Sequence, residues 1–150
     1  MKERYFEDFS SGDILQSGTV TVTADAIVEF ARQFDPQVFH LEQKSAEQTI
    51  MKGLIASGWH TAAMSMRLFV ETMNVPGGIV GLGVDDLRWP QAVRPGDELR
   101  LEIEIVSARL SKSRPTAGII NVRNVTRNQR AEIVQSFSAN ALVPIRERPS

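Results

Sequence analysis

An aspartate and a histidine five positions apart have the clearest potential for acid–base chemistry in this sequence. Asp35 and His40 lie at the two ends of a short segment that contains Pro36. A carboxylate and an imidazole that lie together can hold a water molecule and exchange protons with it. A structural interpretation is also open, because an aspartate before proline often ends a helix and a histidine beside Phe39 is often packed in a loop.

Gly53 is a second candidate, because it stands at the start of the longest predicted helix. A glycine there lets a ligand approach unpaired backbone N–H groups, and the helix dipole favours negative charge at that end. Such an amide could donate to the carbonyl oxygen of a thioester. Gly53 and Gly58 could equally serve close packing or a tight turn.

Composition and charge exclude several classes of protein. The chain has 150 residues, 42% of them hydrophobic and 23% charged, which fits one globular domain over 1–150. Its formal net charge of -1 gives no basic excess for general nucleic-acid binding. The lack of cysteine excludes disulfides, cysteine nucleophiles and thiolate metal sites, and two histidines make a histidine-based metal site improbable. We expect no bound metal and no nucleic-acid partner.

Two helices are predicted around the candidate residues. Thr23 is typical of a helix N-cap, and Pro36 disfavours helical geometry at the residue before it, so one helix lies between them. The second and longer pattern runs from Gly53 to Met73 and ends at Asn74. Three- and four-residue steps predict one buried face for this helix, made of Ile55, Trp59, Ala62, Ala63, Met66, Phe69, Val70 and Met73.

Targeting signals are not expected. The charged residues at 1–4 lead into no apolar segment, so no signal peptide is predicted. His60, Arg67 and Glu71 interrupt the apolar stretch at 53–73, and a membrane span tolerates such groups poorly. We expect a cytoplasmic protein without a membrane segment.

The second half of the chain predicts strands. From Ile79 the pattern changes to period two, and at 98–105 apolar residues alternate with charged ones, which indicates a strand with one buried face. Two more strands are predicted at 117–126 and 131–143, before a loose polar tail from about 144. The expected fold class is α+β, with one central helix packed on a curved antiparallel sheet. Such a sheet leaves an edge to cover, and a second copy of the chain could cover it.

Four segments carry a resemblance to a known family. Asp35 and His40 are separated by four residues, as in the hydratase motif of the MaoC-like dehydratase family, which includes the (R)-specific enoyl-CoA hydratases. Residues 53–58 resemble the start of that family's central helix, and 5–13 resemble its first segment. Residues 93–97 resemble a common turn of the family, although hotdog proteins of other activities share this turn. The resemblance covers nearly the whole chain.

The resemblance implies a fold and a reaction. The fold would be a single hotdog domain, usually dimeric, with the site near the subunit interface. The reaction would be hydration of a trans-2-enoyl thioester of CoA or acyl-carrier protein, or dehydration of the (R)-3-hydroxyacyl thioester. No cofactor is implied, because CoA is part of the substrate. Asp35 and His40 match the catalytic pair, and Gly53 matches the glycine whose amide polarises the thioester carbonyl.

The chain departs from the family pattern at two places. The family often has a serine in the central helix that supports the catalytic pair. Thr61 falls near that place and Ser57 is a competing match, so both stay candidates. A histidine often precedes the helix glycine in the family, whereas this chain has Lys52.

Other interpretations stay open. A hotdog thioesterase would attack C1 of the thioester rather than C3, with a differently placed carboxylate, so the spacing of Asp35 and His40 favours hydration. A non-catalytic subunit that binds acyl thioesters is a further alternative. His60 is expected to be a packed or partly exposed helix residue. Arg88 could contact a phosphate of CoA, but pairing with Asp85 or Asp86 is favoured over that role.

Overall fold

The computed structural model describes residues 1–147 and contains one five-stranded antiparallel sheet. The strands stand in the order β1-β3-β4-β5-β2, so β1 and β2 form the two edges. Their bounds are β1 (Ile14–Thr21), β2 (Val80–Arg88), β3 (Glu98–Leu110), β4 (Ala117–Arg127) and β5 (Ile133–Pro144).

Four helices connect and cover these strands. The first three follow β1, and the longest packs across the sheet before β2 begins. This layout confirms the α+β prediction of one main helix on an antiparallel sheet. None of the helices described within 1–147 is long and apolar enough to span a membrane. Their bounds are α1 (Ala24–Phe34), α2 (Val38–Leu41), α3 (Gln43–Glu47) and α4 (Gly58–Met73), and a 3-10 turn at Phe6–Asp8 precedes β1.

The bounds of α1 follow the sequence signals. Thr23 caps the helix, because its side-chain oxygen accepts the backbone N–H of Ala26 at 3.1 Å. Ile27 and Ala31 bury the inner face of the helix. Asp35 leaves helical geometry immediately before Pro36, as predicted, with φ -153° and ψ 69°.

The start of α4 differs from the prediction. The helix begins at Gly58 and not at Gly53, with Ser57 as its N-cap. The preceding segment is extended because its amides bond elsewhere: Ile55 N–H donates to Phe39 O and Ala56 N–H to Val93 O, both at 2.8 Å. These bonds to distant parts of the chain replace the helical bonds that local periodicity suggested.

The buried face of α4 is also rotated from the predicted one. Trp59, Met66 and Val70 are half or more exposed, although their spacing predicted burial. Polar residues make up part of the buried face of α4. Among them, Ser65 bonds to Thr126 on β4, with an Oγ–Oγ1 distance of 2.8 Å. A buried hydroxyl needs such a partner, and β4 supplies it. The buried residues of α4 are His60, Thr61, Ser65, Leu68, Phe69, Thr72 and Met73.

The main core lies between α4 and the inner face of the sheet. On β3, the alternating residues Leu99, Leu101, Ile103 and Ile105 are fully buried, which confirms the period-two prediction. Burial of each such side chain stabilises the fold by roughly 1.5–3 kcal/mol. The sheet therefore provides a rigid base for α4 and for the loop that precedes it.

The C-terminal segment is held in place as far as the structure describes it. The predicted tail begins at about residue 144. Pro144 is still the last residue of β5, so the segment after the strand begins at residue 145. Ile145 N–H donates to Thr116 O at 3.0 Å, and the Arg146 guanidinium carbon lies 5.1 Å from the Tyr5 ring centre. Ile145 and Arg146 are thus held in place, and the predicted tail at 148–150 lies outside the described residues.

Candidate active site

The structure brings Asp35 and His40 together. Asp35 ends α1 and His40 lies in the one-turn helix α2, so the Pro36 turn folds one back toward the other. His40 Nε2 lies 3.2 Å from Asp35 Oδ2. The histidine side chain is 5% exposed and the aspartate side chain 19% exposed. A carboxylate and an imidazole at this distance form a pair that can exchange protons with a bound molecule.

The imidazole of His40 is fixed from its other side. Its Nδ1 lies 2.7 Å from the carbonyl oxygen of Ile55, in the extended segment before α4. Because a carbonyl oxygen only accepts, Nδ1 carries the hydrogen of this bond. The ring of Phe39 meets the imidazole edge-on, with 4.6 Å between ring centres. These contacts orient Nε2 toward Asp35.

This orientation determines where a proton can lie. When Nδ1 carries a hydrogen, Nε2 of a neutral ring is an acceptor, and both oxygens of an ionised Asp35 are acceptors as well. Two acceptors face each other stably only with a proton or a donor molecule between them. A proton or a donor molecule such as water can therefore lie between Nε2 of His40 and the Asp35 carboxylate.

Hydrogen bonds lower the pKa of Asp35. Burial raises the pKa of the carboxyl, but hydrogen bonds from the Ser57 and Gln37 side chains and the nearby His40 outweigh burial, so the pKa lies below its ordinary value. Gln37 Nε2 donates to Asp35 Oδ1 at 2.6 Å. Gln37 lies inside the segment between the pair, and sequence analysis gave it no role.

Ser57 and Thr61 take different positions. Ser57 is fully buried and caps α4, and its side chain lowers the pKa of the Asp35 carboxyl. Thr61 lies one turn later, and its hydroxyl bonds back to the Ser57 carbonyl at 3.4 Å. Thr61 lines the cavity beside His40.

A cavity of about 280 Å³ lies beside His40. The segment before α4, the start of α4 and residues 89–93 enclose it. Apolar side chains make most of its wall, and His40 is its ionisable group. An apolar pocket with one convergent acid–base group is typical of a site for a small organic substrate. Its wall includes His40, Met51, Ile55, Gly58, Trp89 and Val134.

Gly53 lies apart from this cavity. It precedes α4 by several residues, has a φ of 152° and is not part of the cavity wall. A side chain there would be strained, and its Cβ would come within 3.2 Å of Arg94 Nη1. The expectation that Gly53 opens the long helix is therefore wrong, and its role as an amide donor stays a prediction. Gly58 holds the helix start instead.

His60 and Arg88 behave as packed and paired residues. His60 is 8% exposed and stacks on Phe30, with ring centres 4.9 Å apart. Burial lowers the pKa of His60, and the nearby His40 lowers it further. Arg88 Nε bonds to Asp86 Oδ1 at 2.7 Å, which confirms the expected pairing. No group of three or more His, Asp or Glu side chains within 1–147 could hold a metal ion.

Comparison with known proteins identifies the family. The model of the MaoC-like domain family matches residues 10–128. An uncharacterized protein of Bacillus subtilis, YdeM, is 30% identical over 125 residues, which cover 83% of this chain and 87% of that protein.

Solved structures share the whole architecture. A MaoC-like dehydratase from Rhodospirillum rubrum has a TM-score of 0.90 and 43% identity, with 97% of this chain and 99% of that chain covered. The (R)-hydratase PhaJ1 of Pseudomonas aeruginosa has the same fold, with a TM-score of 0.80 and 23% identity over 97% of this chain and 94% of that one. The helix on a curved antiparallel sheet is the hotdog fold. Both the matched sequence and this shared architecture place the chain in the MaoC-like dehydratase domain family.

Proposed function

We propose that the protein is a hydro-lyase that adds water to a trans-2-enoyl thioester or removes it from an (R)-3-hydroxyacyl thioester. The observation that carries the proposal is the contact between Asp35 and His40, with His40 in the wall of an apolar cavity. Relatives named as dehydratase and (R)-hydratase support it. The thioester would belong to CoA or to an acyl-carrier protein.

The pair would handle every proton in the reaction. Asp35 and His40 position one water molecule, whose oxygen attacks C3 as the pair takes one of its protons. The pair returns one proton to C2, so a hydrogen and a hydroxyl are added and the pair ends in its starting state. Because nothing is oxidised or reduced, the reaction needs no redox cofactor, and CoA takes part only as a portion of the substrate.

Negative charge develops on the thioester oxygen during attack at C3 and needs a hydrogen-bond donor. The family resemblance assigns this role to the Gly53 amide. The position of Gly58, at the first turn of α4 and in the cavity wall, makes its N–H a second candidate. The helix dipole would strengthen a bond from that end of α4.

The test is an assay of crotonyl-CoA that follows loss of the conjugated double bond and release of free thiol in parallel. We expect the wild type to remove the double bond without releasing thiol. Asp35→Asn and His40→Ala should each lower kcat by about 100- to 10,000-fold, because each removes a group that moves a proton. Asp25→Asn, at the exposed start of the same helix α1, is the charge-matched control and should keep full activity.

Other outcomes would identify the alternatives. Release of thiol with an intact double bond would identify a thioesterase. Binding of CoA esters without turnover, unchanged in His40→Ala, would identify a non-catalytic subunit. Either result would contradict the hydro-lyase proposal.

We also propose that the working form is a homodimer or an assembly of such dimers. The edge strand β2 leaves Val80, Leu82 and Val84 more than half exposed. An apolar edge strand with unpaired backbone groups is a surface that a second copy can cover.

A further inference from the structure

Trp89 forms one wall of the cavity beside His40 and is packed directly on the start of α4. A Cβ added to Gly58 would lie 2.6 Å from Cδ2 and 2.7 Å from Cε2 of the indole. The indole therefore lies on the face of Gly58, at a distance that no residue with a side chain would permit. This contact determines how far the indole extends along the cavity wall.

Gln135 on β5 holds the indole from the other side. Trp89 Nε1 donates to Gln135 Oε1 at 2.8 Å, and Gln135 is 1% exposed. An indole N–H can only donate, so the amide oxygen must face it and the amide Nε2 must point away. Among residues 1–147, no group forms a hydrogen bond with this buried Nε2. A buried glutamine with an unsatisfied amide group needs a structural explanation, and its hydrogen bond to Trp89 provides one.

The cavity that this indole bounds is small. Its volume of about 280 Å³ lies at the lower limit of the roughly 300–1,000 Å³ typical of small-molecule sites. Val134, beside Gln135 on β5, belongs to the same wall. Removing the indole would extend the cavity toward β5. The other indole, Trp59, is 60% exposed and does not line the cavity, but it meets the Trp89 ring edge-on with 5.2 Å between ring centres.

We propose that Trp89 limits the length of the acyl group that this site accepts, that Gln135 is the positioning residue for the indole, and that the accepted acyl groups are short. The inference rests on the proposed function, because it places the reacting carbons at His40 and the rest of the acyl chain toward Trp89. Trp89 is then a specificity residue that takes no part in proton transfer.

Binding of saturated acyl-CoAs tests this inference without requiring turnover. We expect the wild type to bind butyryl-CoA more tightly than octanoyl-CoA, by calorimetric titration. Trp89→Leu should lower the ratio of the octanoyl-CoA Kd to the butyryl-CoA Kd by about tenfold. A few methylene groups in an apolar pocket change binding by at least that factor. Trp89→Phe should have a smaller effect, because it keeps an aromatic wall, and Gln135→Leu should act in the direction of Trp89→Leu.

Met66→Ala is the control, because Met66 lies on the exposed face of α4 and does not line the cavity, so the ratio should stay unchanged. In Trp59→Phe, which keeps an aromatic ring beside Trp89, Trp89 is the single indole, so its fluorescence should respond to butyryl-CoA and not to CoA alone. Should Trp89→Leu fail to fold, Trp89→Phe and Gln135→Leu carry the test.

An unchanged ratio in the folded Trp89 variants, an equal change in Met66→Ala, or tighter wild-type binding of octanoyl-CoA would overturn the inference. So would a wild type that binds neither ester. If the ratio behaves as expected and enoyl-CoA is not hydrated, the length limit stands and the hydro-lyase proposal fails.

Discussion

The protonation of the Asp35 and His40 pair is set by single hydrogen bonds. The Ile55 carbonyl places a hydrogen on Nδ1, and this choice makes Nε2 the atom that exchanges protons with Asp35. Despite its burial, Asp35 has a lowered pKa because Ser57 and Gln37 bond to its ionised form. Its charge therefore stabilises the fold above the ordinary carboxyl pKa, and this stabilisation is lost as the pH falls through the lowered value.

Gln37→Leu should move the acid limb of the pH profile of kcat/KM to higher pH. The substitution removes the 2.6 Å bond to the carboxylate, so the pKa of Asp35 rises and the carboxylate is lost at a higher pH during acidification. The value of kcat/KM above neutral pH should change little. The measurement is kcat/KM for crotonyl-CoA across the acid range.

Gln33→Leu is the control for that profile. Gln33 lies on α1, and its amide bonds to Glu29 instead of Asp35. Its acid limb should coincide with that of the wild type. An acid limb that stays in place in Gln37→Leu would show that Asp35 ionisation does not govern activity.

At the scale of elements, the N-terminus of α4 is the part of the site that several segments build together. Ser57 caps the helix and bonds to Asp35, while the residues just before it hold His40 through the Ile55 carbonyl. Trp89, from the segment after β2, covers Gly58. A shift of α4 would therefore disturb the Asp35 and His40 pair and the cavity wall at once.

Gly58→Ala should destabilise the protein by about 1–3 kcal/mol, because the new methyl group would overlap the Trp89 indole. In a Trp89→Ala background the same change should be neutral or stabilising, since alanine is intrinsically the better helix former. Denaturant unfolding of the four proteins in this double-mutant cycle measures the coupling. Equal effects of Gly58→Ala in both backgrounds would show that the indole contact does not constrain this position.

At the scale of the whole molecule, the two edges of the sheet are unequal. The edge strand β2 exposes Val80, Leu82 and Val84, at 59%, 52% and 56%. The opposite edge, β1, exposes Ile14 and otherwise carries mainly polar residues among its exposed positions. The exposed face of α4, with Trp59, adds further apolar surface. These surfaces favour association of two copies through β2.

Val84→Lys should shift the proposed dimer to monomer, because a lysine at a paired apolar edge would be desolvated without a partner. Sedimentation velocity over a range of protein concentrations measures the change. Ile14→Lys places the same charge on the other edge and should leave the dimer intact. A monomeric wild type, or equal dissociation of both variants, would contradict the role of β2.

Local signals in the sequence predicted the parts of the protein that depend on neighbouring residues. Thr23 and Pro36 bounded α1, and the alternation along β3 identified its buried face, because capping and pleating act over a few residues. The spacing of Asp35 and His40 also predicted their contact, since a proline turn joins them directly. The resemblance to a known family added the hotdog arrangement.

The tertiary structure decided the features that join distant segments. The prediction from periodicity places apolar residues of α4 against the core. Ser65 is buried there instead, because its hydroxyl forms a hydrogen bond with Thr126 on β4. Gly53 lies outside α4 because the N–H groups of the residues that follow it donate to the carbonyl oxygens of Phe39 and Val93, and not to a helical partner. By itself, the sequence determined which residues are candidates for proton transfer, whereas contacts with Phe39 and Val93 decided where the helix begins, and the segment at 89–93 and β5 decided what lines the cavity. The physical reason is that such partners are far apart along the chain, so no local pattern records their hydrogen bonds and contacts.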